Sequence, residues 1–321
     1  MKILIAGGAG YIGSAVVPKL LDRGYVVDVV DLCWFGNFLP AEVPVARKDV
    51  FQIGEEELSR YDQVIYLAGV SNDPMAEYSP AHNFIGNAAA PAFLAYTAKR
   101  AGVKRFIHAG SCSVYGYVVD ALCDEDSAVA STYPYGISKL QGEQAAMQLA
   151  DPRFSVISFR KGTVSGYSPR MRLDLVVNTM FRAALVQGVI RVNNPTIWRP
   201  ILAVQDAVSA YVRAVEAPIE VSGIFNIASG NYTVGEIADL VRSVLERHGV
   251  STKLDIQHRE DFRSYKVGID RARNVLSFKP CFDVEAIVEE LWEKKSHFED
   301  FDNPNYFNIQ VFRALGLGAA S

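Results

Sequence analysis

Short runs of hydrophobic residues alternate, along the first half of the chain, with segments in which apolar residues recur at helical spacing. The apolar runs predict buried strands at residues 2–6, 25–30, 63–67, 105–109 and 154–159. The amphipathic segments predict helices that include residues 14–21, 88–101 and 135–149. Strands that alternate with helices in this way predict an α/β fold built on a doubly wound parallel sheet.

The pattern is less regular beyond about residue 166, where it predicts helices at 173–186, 234–248 and 284–294 and a strand at 223–227. We expect residues 1–165 to form the domain with the parallel sheet, and residues 166–321 to form mainly a smaller C-terminal α/β region for substrate binding. The two are expected to interleave, because no Pro/Gly/Ser-rich linker divides them. The aromatic stretch 298–317 favours a docked tail, with a lid or a partner contact as the alternative.

The composition is that of a soluble globular enzyme, with 321 residues, 50% hydrophobic and 21% charged. A net charge of -4 leaves no basic stripe, so nucleic acid is excluded as a partner. No apolar stretch is long enough to cross a membrane, and glycines interrupt the apolar N-terminus, which excludes a signal peptide. The cysteines lack CxxC spacing and nearby histidine pairs, so we expect no metal site, no disulfide framework and a cytoplasmic location; they are Cys33, Cys112, Cys123 and Cys281.

A glycine turn follows the first predicted strand and precedes the first predicted helix. Gly7, Gly10 and Gly13 have the spacing GxxGxxG, which lets a backbone approach a pyrophosphate and indicates a Rossmann-type dinucleotide site. Asp31 ends the next strand, where a carboxylate can accept hydrogen bonds from a ribose. That carboxylate would repel a 2'-phosphate, so NAD is predicted rather than NADP. Asp49 is expected either to face the adenine or to serve as a turn carboxylate.

Tyr135 and Lys139 are four residues apart, and a helix places them on one face. The ammonium group can stabilise a phenolate near neutral pH, which makes the pair a device for proton transfer. Combined with the glycine turn, the pair predicts a nicotinamide dinucleotide facing a substrate hydroxyl that loses a proton and a hydride.

The chain resembles the extended short-chain dehydrogenase/reductases and, within them, the nucleotide-sugar epimerase/dehydratase group. The resemblance covers nearly the whole chain. It rests on Gly7-Gly8-Ala9-Gly10-Tyr11-Ile12-Gly13, Asp31, Leu67-Ala68-Gly69, Asn87, Ser111-Cys112-Ser113-Val114-Tyr115-Gly116, Tyr135 with Lys139, and Trp198-Arg199-Pro200 ahead of Val204-Gln205-Asp206.

The resemblance assigns roles to individual residues. It implies that Tyr135 is the catalytic base, that Lys139 lowers the pKa of Tyr135 and holds the nicotinamide ribose, and that Ser111 orients the substrate oxygen, with Ser113 as second choice. The implied NAD-binding residues, besides Tyr135 and Lys139, are Gly7, Gly10, Tyr11, Ile12, Gly13, Asp31, Leu67, Ala68 and Gly69.

The implied substrate is a nucleotide-diphosphate sugar. Arg199 and Arg263 resemble the arginines that hold the phosphates in the family, and Tyr265 stands where relatives border the sugar pocket. Further residues assigned to the substrate are Ser113, Thr163, Arg170 and Arg172. Thr163 stands where many relatives carry asparagine. For Arg170 and Arg172, the alternative is that they belong to a solvated helix start.

The variable positions narrow the reaction. Cys112-Ser113 replaces the Asp-Glu pair of the sugar dehydratases, which argues against 4,6-dehydration. The reaction expected is epimerisation through transient oxidation at sugar carbon 4. A carbon-4 dehydrogenase or 4-ketosugar reductase acting on a hexose or heptose, a dehydrogenase of a small free alcohol and a non-catalytic NAD-sensing protein are the alternatives. The resemblance also implies a homodimer that pairs through the Tyr135 helix and the helix before it.

Overall fold

The computed structural model describes residues 1–258 and 264–318. Its strands, in chain order, are β1 (Lys2–Ala6), β2 (Val26–Val30), β3 (Val45–Ala46), β4 (Gln63–Tyr66), β5 (Arg105–Ser111), β6 (Tyr117–Cys123), β7 (Ser155–Lys161), β8 (Thr163–Ser165), β9 (Val189–Asn193), β10 (Trp198–Ala203), β11 (Gly223–Ile227), β12 (Gly230–Thr233), β13 (Lys253–Gln257) and β14 (Ser264–Val267).

The helices surround these strands. They are α1 (Gly13–Asp22), α2 (Glu55–Leu58), α3 (Asp73–Tyr78), α4 (Pro80–Phe84), α5 (Ala90–Arg100), α6 (Pro134–Met147), α7 (Val176–Gln187), α8 (Val204–Glu216), α9 (Val234–Arg247), α10 (Asp270–Leu276), α11 (Val284–Lys294) and α12 (Asn308–Ala314). A π-helical turn, Ile85–Ala89, precedes α5, and 3-10 turns lie at Val50–Gln52, Cys112–Tyr115, Lys295–His297 and Pro304–Tyr306. Within the described ranges, no helix is long and apolar enough to cross a membrane.

The main sheet has seven strands in the order β11-β7-β5-β4-β1-β2-β3, and every neighbouring pair is parallel. This confirms the predicted α/β, Rossmann-type, doubly wound sheet. The chain order reverses between β1 and β4, and ligands of such folds bind at the carboxyl ends of the strands beside that reversal. The first β-α turn, after β1, lies at this edge.

Helices cover both faces of the main sheet. One hydrophobic cluster packs α1 and α8 against one face, and another packs α5 and α6 against the opposite face. Burying both faces explains why the central strands are continuous apolar runs. β11, from the second half of the chain, joins the main sheet beside β7, so the two halves share one sheet.

The remaining elements form a smaller region beside the strand ends. It contains the sheet β12-β10-β8, the pairs β13-β9 and β14-β6, and a core made by α7, α9 and α11. Local sequence fixes its helix starts, since Thr233 and Glu236 form a reciprocal capping box at α9 and the Asp283 side chain caps α11.

The C-terminal tail docks onto the rest of the protein. Phe298 is buried in the core of the smaller region. Phe312, on α12, packs edge-on against Trp34 with ring centroids 5.2 Å apart. Because Trp34 lies in the loop after β2, which also contains Asp31, the tail reaches a loop of the predicted cofactor site.

Candidate active site

The glycine turn is packed so closely that two of its glycines cannot be replaced without strain. Gly7 has a φ of +82°, and a Cβ atom added there would lie 2.3 Å from the Ala68 nitrogen. A Cβ atom on Gly13 would lie 2.4 Å from the Gly8 carbonyl oxygen. At Gly10 the only close atom is the Gly7 carbonyl oxygen, at 3.3 Å. The turn therefore joins β1, β4 and α1 while its middle stays open.

The start of α1 offers an anion site. Its N-cap is Ile12, which provides no side-chain hydrogen bond, and its first turn contains no acidic residue. The positive end of the helix dipole and its N–H groups are therefore not neutralised by a side-chain cap. Such a cradle fits the pyrophosphate of a dinucleotide.

Asp31 is tied to the same turn. Its carboxylate accepts hydrogen bonds from the Ala9 amide at 3.0 Å and the Cys33 amide at 2.7 Å. Burial raises the pKa of Asp31, and these two hydrogen bonds act in the opposite direction. Each carboxylate oxygen keeps a lone pair, so Asp31 can still accept from ribose hydroxyls.

Two other residues predicted to bind the cofactor are engaged within the protein. Asp49 caps the 3-10 turn Val50–Gln52 by accepting from the Phe51 amide at 3.0 Å, which agrees with the turn-carboxylate alternative. The Tyr11 hydroxyl donates to the Gly166 carbonyl at 2.6 Å, so its ring points into the interior. Tyr11 can therefore contact a cofactor through its backbone and not through its hydroxyl group.

The segment Leu67-Ala68-Gly69 follows β4 at the same edge. The Leu67 amide donates to the Ala6 carbonyl at 2.7 Å, which holds the segment against the end of β1. Gly69 has a φ of +119°, and an added Cβ atom would lie 2.3 Å from Asn87 Oδ1. Asn87 sits in the π-helical turn and donates to the Val70 carbonyl at 2.9 Å. It therefore supports the segment that follows β4.

Tyr135 and Lys139 lie in the first turns of α6, which begins with Pro134. Lys139 Nζ is 5.9 Å from the centroid of the Tyr135 ring and donates to the Ala109 carbonyl at 3.1 Å. Burial lowers the pKa of Lys139 to about 8. The structure thus brings the predicted pair together, with the ammonium group anchored to β5.

Ser111 ends β5 beside this pair. Its Oγ atom is 3.0 Å from Ser113 Oγ and accepts a hydrogen bond from the Ser113 amide at 3.2 Å. Burial raises the pKa of Tyr135 to about 12, and a hydrogen bond with Ser111 acts in the opposite direction. Desolvation therefore outweighs the local charges, and the pKa of Tyr135 lies above the near-neutral value expected from the sequence.

Lys161 is a site residue that the sequence analysis missed. It ends β7 directly beside Ser111, and its Nζ donates to the Gly110 carbonyl at 2.7 Å. Burial and the charge of Lys139 hold the pKa of Lys161 well below its usual value. A charged residue at the carboxyl end of a buried parallel strand was the signal that could have identified it.

Cys112, the next residue after Ser111, is fully buried. Its Sγ atom lies 3.1 Å from the Arg160 carbonyl oxygen, and burial raises its pKa. These properties are those of a packing residue. No group of three His, Cys, Asp or Glu side chains suited to a metal is found across the described ranges.

Several residues predicted to bind substrate gather around Tyr265. Burial raises the pKa of Tyr265, and the charge of Arg199 and a hydrogen bond with Ser113 oppose that increase. Thr163 begins β8 and pairs with Ile201 of β10, the strand that carries Arg199. The predicted Arg263 lies outside the described residues.

Arg170 and Arg172 lie in different surroundings. Arg172 pairs with Asp174 at 2.8 Å and donates to Ser71 Oγ at 2.9 Å, and its charge lowers the pKa of Tyr135. The charge of Arg170 lowers the pKa of Asp31, which is hydrogen-bonded to the glycine turn. The two arginines therefore influence different predicted site residues, Arg172 the base Tyr135 and Arg170 the carboxylate Asp31.

A second missed element is the loop that enters α3. Asn72 has a φ of +69°, and its Oδ1 atom accepts from the Met75 amide at 3.1 Å. This loop contacts Tyr135, since a backbone hydrogen bond from Asn72 lowers the pKa of Tyr135 and the charge of Asp73 raises it. Only the tertiary structure brings this loop to Tyr135, and no local pattern marks it.

Similarity to a known protein family agrees with this geometry. Residues 3–228 match the model of the NAD dependent epimerase/dehydratase family. The chain belongs to this family. The predicted resemblance is thereby confirmed, and the matched span includes the glycine turn, Asp31, Ser111, Tyr135 and Lys139.

Curated members of the epimerase/dehydratase family match over nearly their whole length. A UDP-glucose 4-epimerase of Neisseria meningitidis serogroup C is 25% identical, with 96% of this chain and 99% of that protein covered. A UDP-glucose 4-epimerase of Streptomyces lividans is 27% identical, with coverages of 94% and 98%.

Solved structures agree with this assignment. MoeE5 in complex with UDP-glucuronic acid and NAD is 26% identical and superposes with a TM-score of 0.81, covering 92% of this chain and 100% of that one. A UDP-glucose 4-epimerase from Thermotoga maritima superposes with a TM-score of 0.79 at 24% identity, with coverages of 92% and 99%, which shows a shared fold.

Proposed function

We propose that this member of the epimerase/dehydratase family is an NAD-dependent nucleotide-sugar epimerase that acts through transient oxidation at sugar carbon 4. The observation that carries the proposal is the convergence of Ser111, Tyr135 and Lys139 at the edge of the sheet that also holds the glycine turn and Asp31. Proton-transfer groups and a dinucleotide cradle at one strand edge suit alcohol oxidation.

The residues present fit NAD. The uncapped start of α1 would hold the diphosphate, Asp31 would hold the adenosine ribose, and Lys139 would hold the second ribose. When bound, NAD supplies a hydride acceptor that can return the hydride to the same carbon. The carboxylate at position 31 favours NAD over NADP, because it would repel a 2'-phosphate.

The protein's own residues handle the proton. Tyr135 would take the proton of the carbon-4 hydroxyl when that carbon is oxidised to a ketone, and would give the proton back when the ketone is reduced on its opposite face, which yields the epimer. Ser111 would orient the reacting oxygen, and Lys139 would favour the phenolate by its charge.

The proposed substrate is a nucleotide-diphosphate sugar. The relatives named above are UDP-glucose 4-epimerases, and MoeE5 is described with UDP-glucuronic acid, which supports a UDP-sugar first. The charge of Arg199 acts on Tyr265, which supports phosphate binding on that side of the site. The buried, high-pKa thiol of Cys112 argues against a dehydratase, which needs an acid to expel water.

The test is incubation of the protein and NAD with UDP-, dTDP-, GDP- and CDP-sugars, with absorbance at 340 nm and NMR of the products. An epimer without accumulating NADH is expected. Multi-turnover NADH with a ketosugar product would instead identify a dehydrogenase, or a reductase running in reverse. Tyr135→Phe is the control and should lose about 10²–10⁴-fold in turnover. No reaction and no NAD binding would refute the proposal.

We also propose a homodimer in the cytoplasm. Exposed apolar side chains on α4, the π-helical turn and α5 support pairing through that surface; they are Phe84, Ile85 and Tyr96. Four free cysteines support a reducing compartment. Light scattering should give a dimer that Tyr96→Asp weakens, whereas Val275→Asp, on the exposed face of α10, should leave the dimer intact. A wild-type monomer would refute the pairing.

A further inference from the structure

Arg170 is a buried guanidinium reached by three distant parts of the chain. It is 2% exposed, its backbone N–H donates to Ser14 Oγ at 3.2 Å, and its guanidinium carbon lies 4.0 Å from the centroid of the Phe35 ring. Arg170 Nη2 donates to Asn308 Oδ1 of α12 at 2.6 Å. Arg170 therefore sits between the start of α1, the loop after Asp31 and the docked tail.

The charge of Arg170 is poorly compensated by the protein. Its Nε atom is buried and has no hydrogen-bond partner, and no carboxylate among residues 1–258 and 264–318 lies within ion-pair distance. Arg172, two residues away, donates hydrogen bonds to both carboxylate oxygens of Asp174. Burial, with the charge of Arg172, lowers the pKa of Arg170 to about 9. A buried cation of this kind is costly unless an anion joins it.

The surroundings of Arg170 identify the class of anion. Its charge lowers the pKa of Asp31, which is itself hydrogen-bonded to the Ala9 amide of the glycine turn. Ser14, its backbone partner, belongs to the first turn of α1, whose N-terminus lacks a side-chain cap. Two sources of positive potential, a helix N-terminus and a guanidinium, therefore lie together beside the residue that would hold the adenosine ribose.

We propose that Arg170 binds the diphosphate of the dinucleotide from the side opposite the glycine turn, and that Asn308 of α12 is a positioning residue that holds the Arg170 guanidinium there. This assigns Arg170 to the cofactor and not to the sugar nucleotide, and it rests on the proposed function because it takes NAD as the ligand. It also gives the tail a role. The side-chain amide of Asn308 donates to Ser71 Oγ at 3.1 Å, and its backbone N–H donates to Asp174 Oδ2 at 3.1 Å. Asn308 thus links the loop that contains Ser71 to the loop that contains Arg170 and Asp174.

The experiment measures binding to protein stripped of nucleotide, by titration calorimetry with NAD, ADP and UDP. Arg170→Gln should weaken NAD and ADP by about tenfold or more, because a charge-assisted hydrogen bond to phosphate is lost, and should change UDP by less than about twofold. Asn308→Ala should weaken NAD in the same direction by a smaller factor. Arg60→Gln replaces an exposed arginine and is the matched control, which should leave the affinities for NAD, ADP and UDP unchanged.

The outcomes separate this inference from the proposed function. Unchanged NAD affinity in folded Arg170→Gln, or a loss confined to UDP, overturns the assignment of Arg170 while leaving the epimerase proposal intact. Failure of the wild-type protein to bind NAD overturns both. If Arg170→Gln does not fold, Arg170→Lys keeps the charge but loses the planar fork, and it should still weaken ADP more than UDP. Equal effects on the two nucleotides in Arg170→Lys would count against the proposal.

Discussion

Lys139 and Lys161 donate hydrogen bonds to consecutive carbonyl oxygens of the same strand. Lys139 approaches from α6 to the Ala109 carbonyl, and Lys161 approaches from β7 to the Gly110 carbonyl. Burial lowers the pKa of Lys139 to about 8, and burial together with the charge of Lys139 holds the pKa of Lys161 well below its usual value. The two amines therefore compete for positive charge at the end of β5.

This competition predicts a charge effect that distinguishes two substitutions of Lys161. Lys161→Arg introduces a permanent charge, so it should lower the pKa of Lys139 and move the alkaline limb of the kcat/KM profile to lower pH. Lys161→Met introduces no charge, so it should not move that limb to lower pH. Profiles of the three proteins are the measurement, and the same downward movement in Lys161→Met would contradict the charge argument.

Lys139 should cost stability where it is charged. Its pKa is about 8 in the folded protein against 10.5 ordinarily, so the unfolded chain binds its proton more tightly between these values. The cost is fully present below pH 8 and disappears as pH rises toward 10.5. Lys139→Met should therefore raise the free energy of unfolding at pH 7 by about 3 kcal/mol while abolishing turnover.

Urea unfolding of wild-type protein and Lys139→Met at pH 7, 9 and 10 tests this. The advantage of the variant should shrink as pH rises. An advantage that is constant over this range would mean that packing, and not charge burial, separates the two proteins.

Ser111→Ala should slow proton transfer at neutral pH. The hydrogen bond with Ser111 lowers the pKa of Tyr135, because it favours the phenolate, so its loss should raise that pKa. The value of kcat/KM at pH 7 should fall, since a smaller fraction of Tyr135 is then ionised. Ser113→Ala is the comparison, and a larger loss in that variant would transfer the role to Ser113.

Glu143 and Arg160 form a buried ion pair, with Oε1 and Nη2 2.7 Å apart and the side chains 1% and 5% exposed. Glu143→Gln should destabilise the protein by about 3–5 kcal/mol, because it leaves a guanidinium unpaired in the interior. The Arg100–Glu55 pair has the same separation, 2.7 Å, with side chains 57% and 47% exposed, so Glu55→Gln should cost far less stability because water screens the pair. Chemical unfolding of both variants measures the contrast, and equal losses would contradict it.

Gly13→Ala should damage both stability and cofactor binding. The added methyl group would lie 2.4 Å from the Gly8 carbonyl oxygen, so the turn must move away from α1 at a cost of about 1–3 kcal/mol. Gly54→Ala is the control, since a Cβ atom there meets nothing within 4 Å. Thermal unfolding without NAD measures the stability, and the increase in midpoint on adding NAD measures cofactor binding. A Gly13→Ala protein with wild-type midpoints in both conditions would refute the packing argument.

The sequence determined the parts of this protein that depend on local periodicity. Short apolar runs give the strands of the parallel sheet, the glycine spacing gives the turn after β1, and the interval between Tyr135 and Lys139 gives one helix face. Each of these signals lies within one element or one β-α unit. The ends of elements were predicted less exactly. β5 continues to Ser111 and β7 continues to Lys161, in both cases beyond the predicted strand.

Tertiary structure alone decided which charged groups meet. Lys161 reaches Lys139 because β7 pairs with β5 in a register that aligns Lys161 with Ser111, and no local pattern sets that register. Arg170 contacts both Ser14 of α1 and Asn308 of the docked tail, and its charge lowers the pKa of Asp31. The pKa of Tyr135 likewise depends on how completely distant loops bury it. Burial and long-range charge pairing arise from contacts between segments far apart in the chain, so spacing within the sequence cannot specify them.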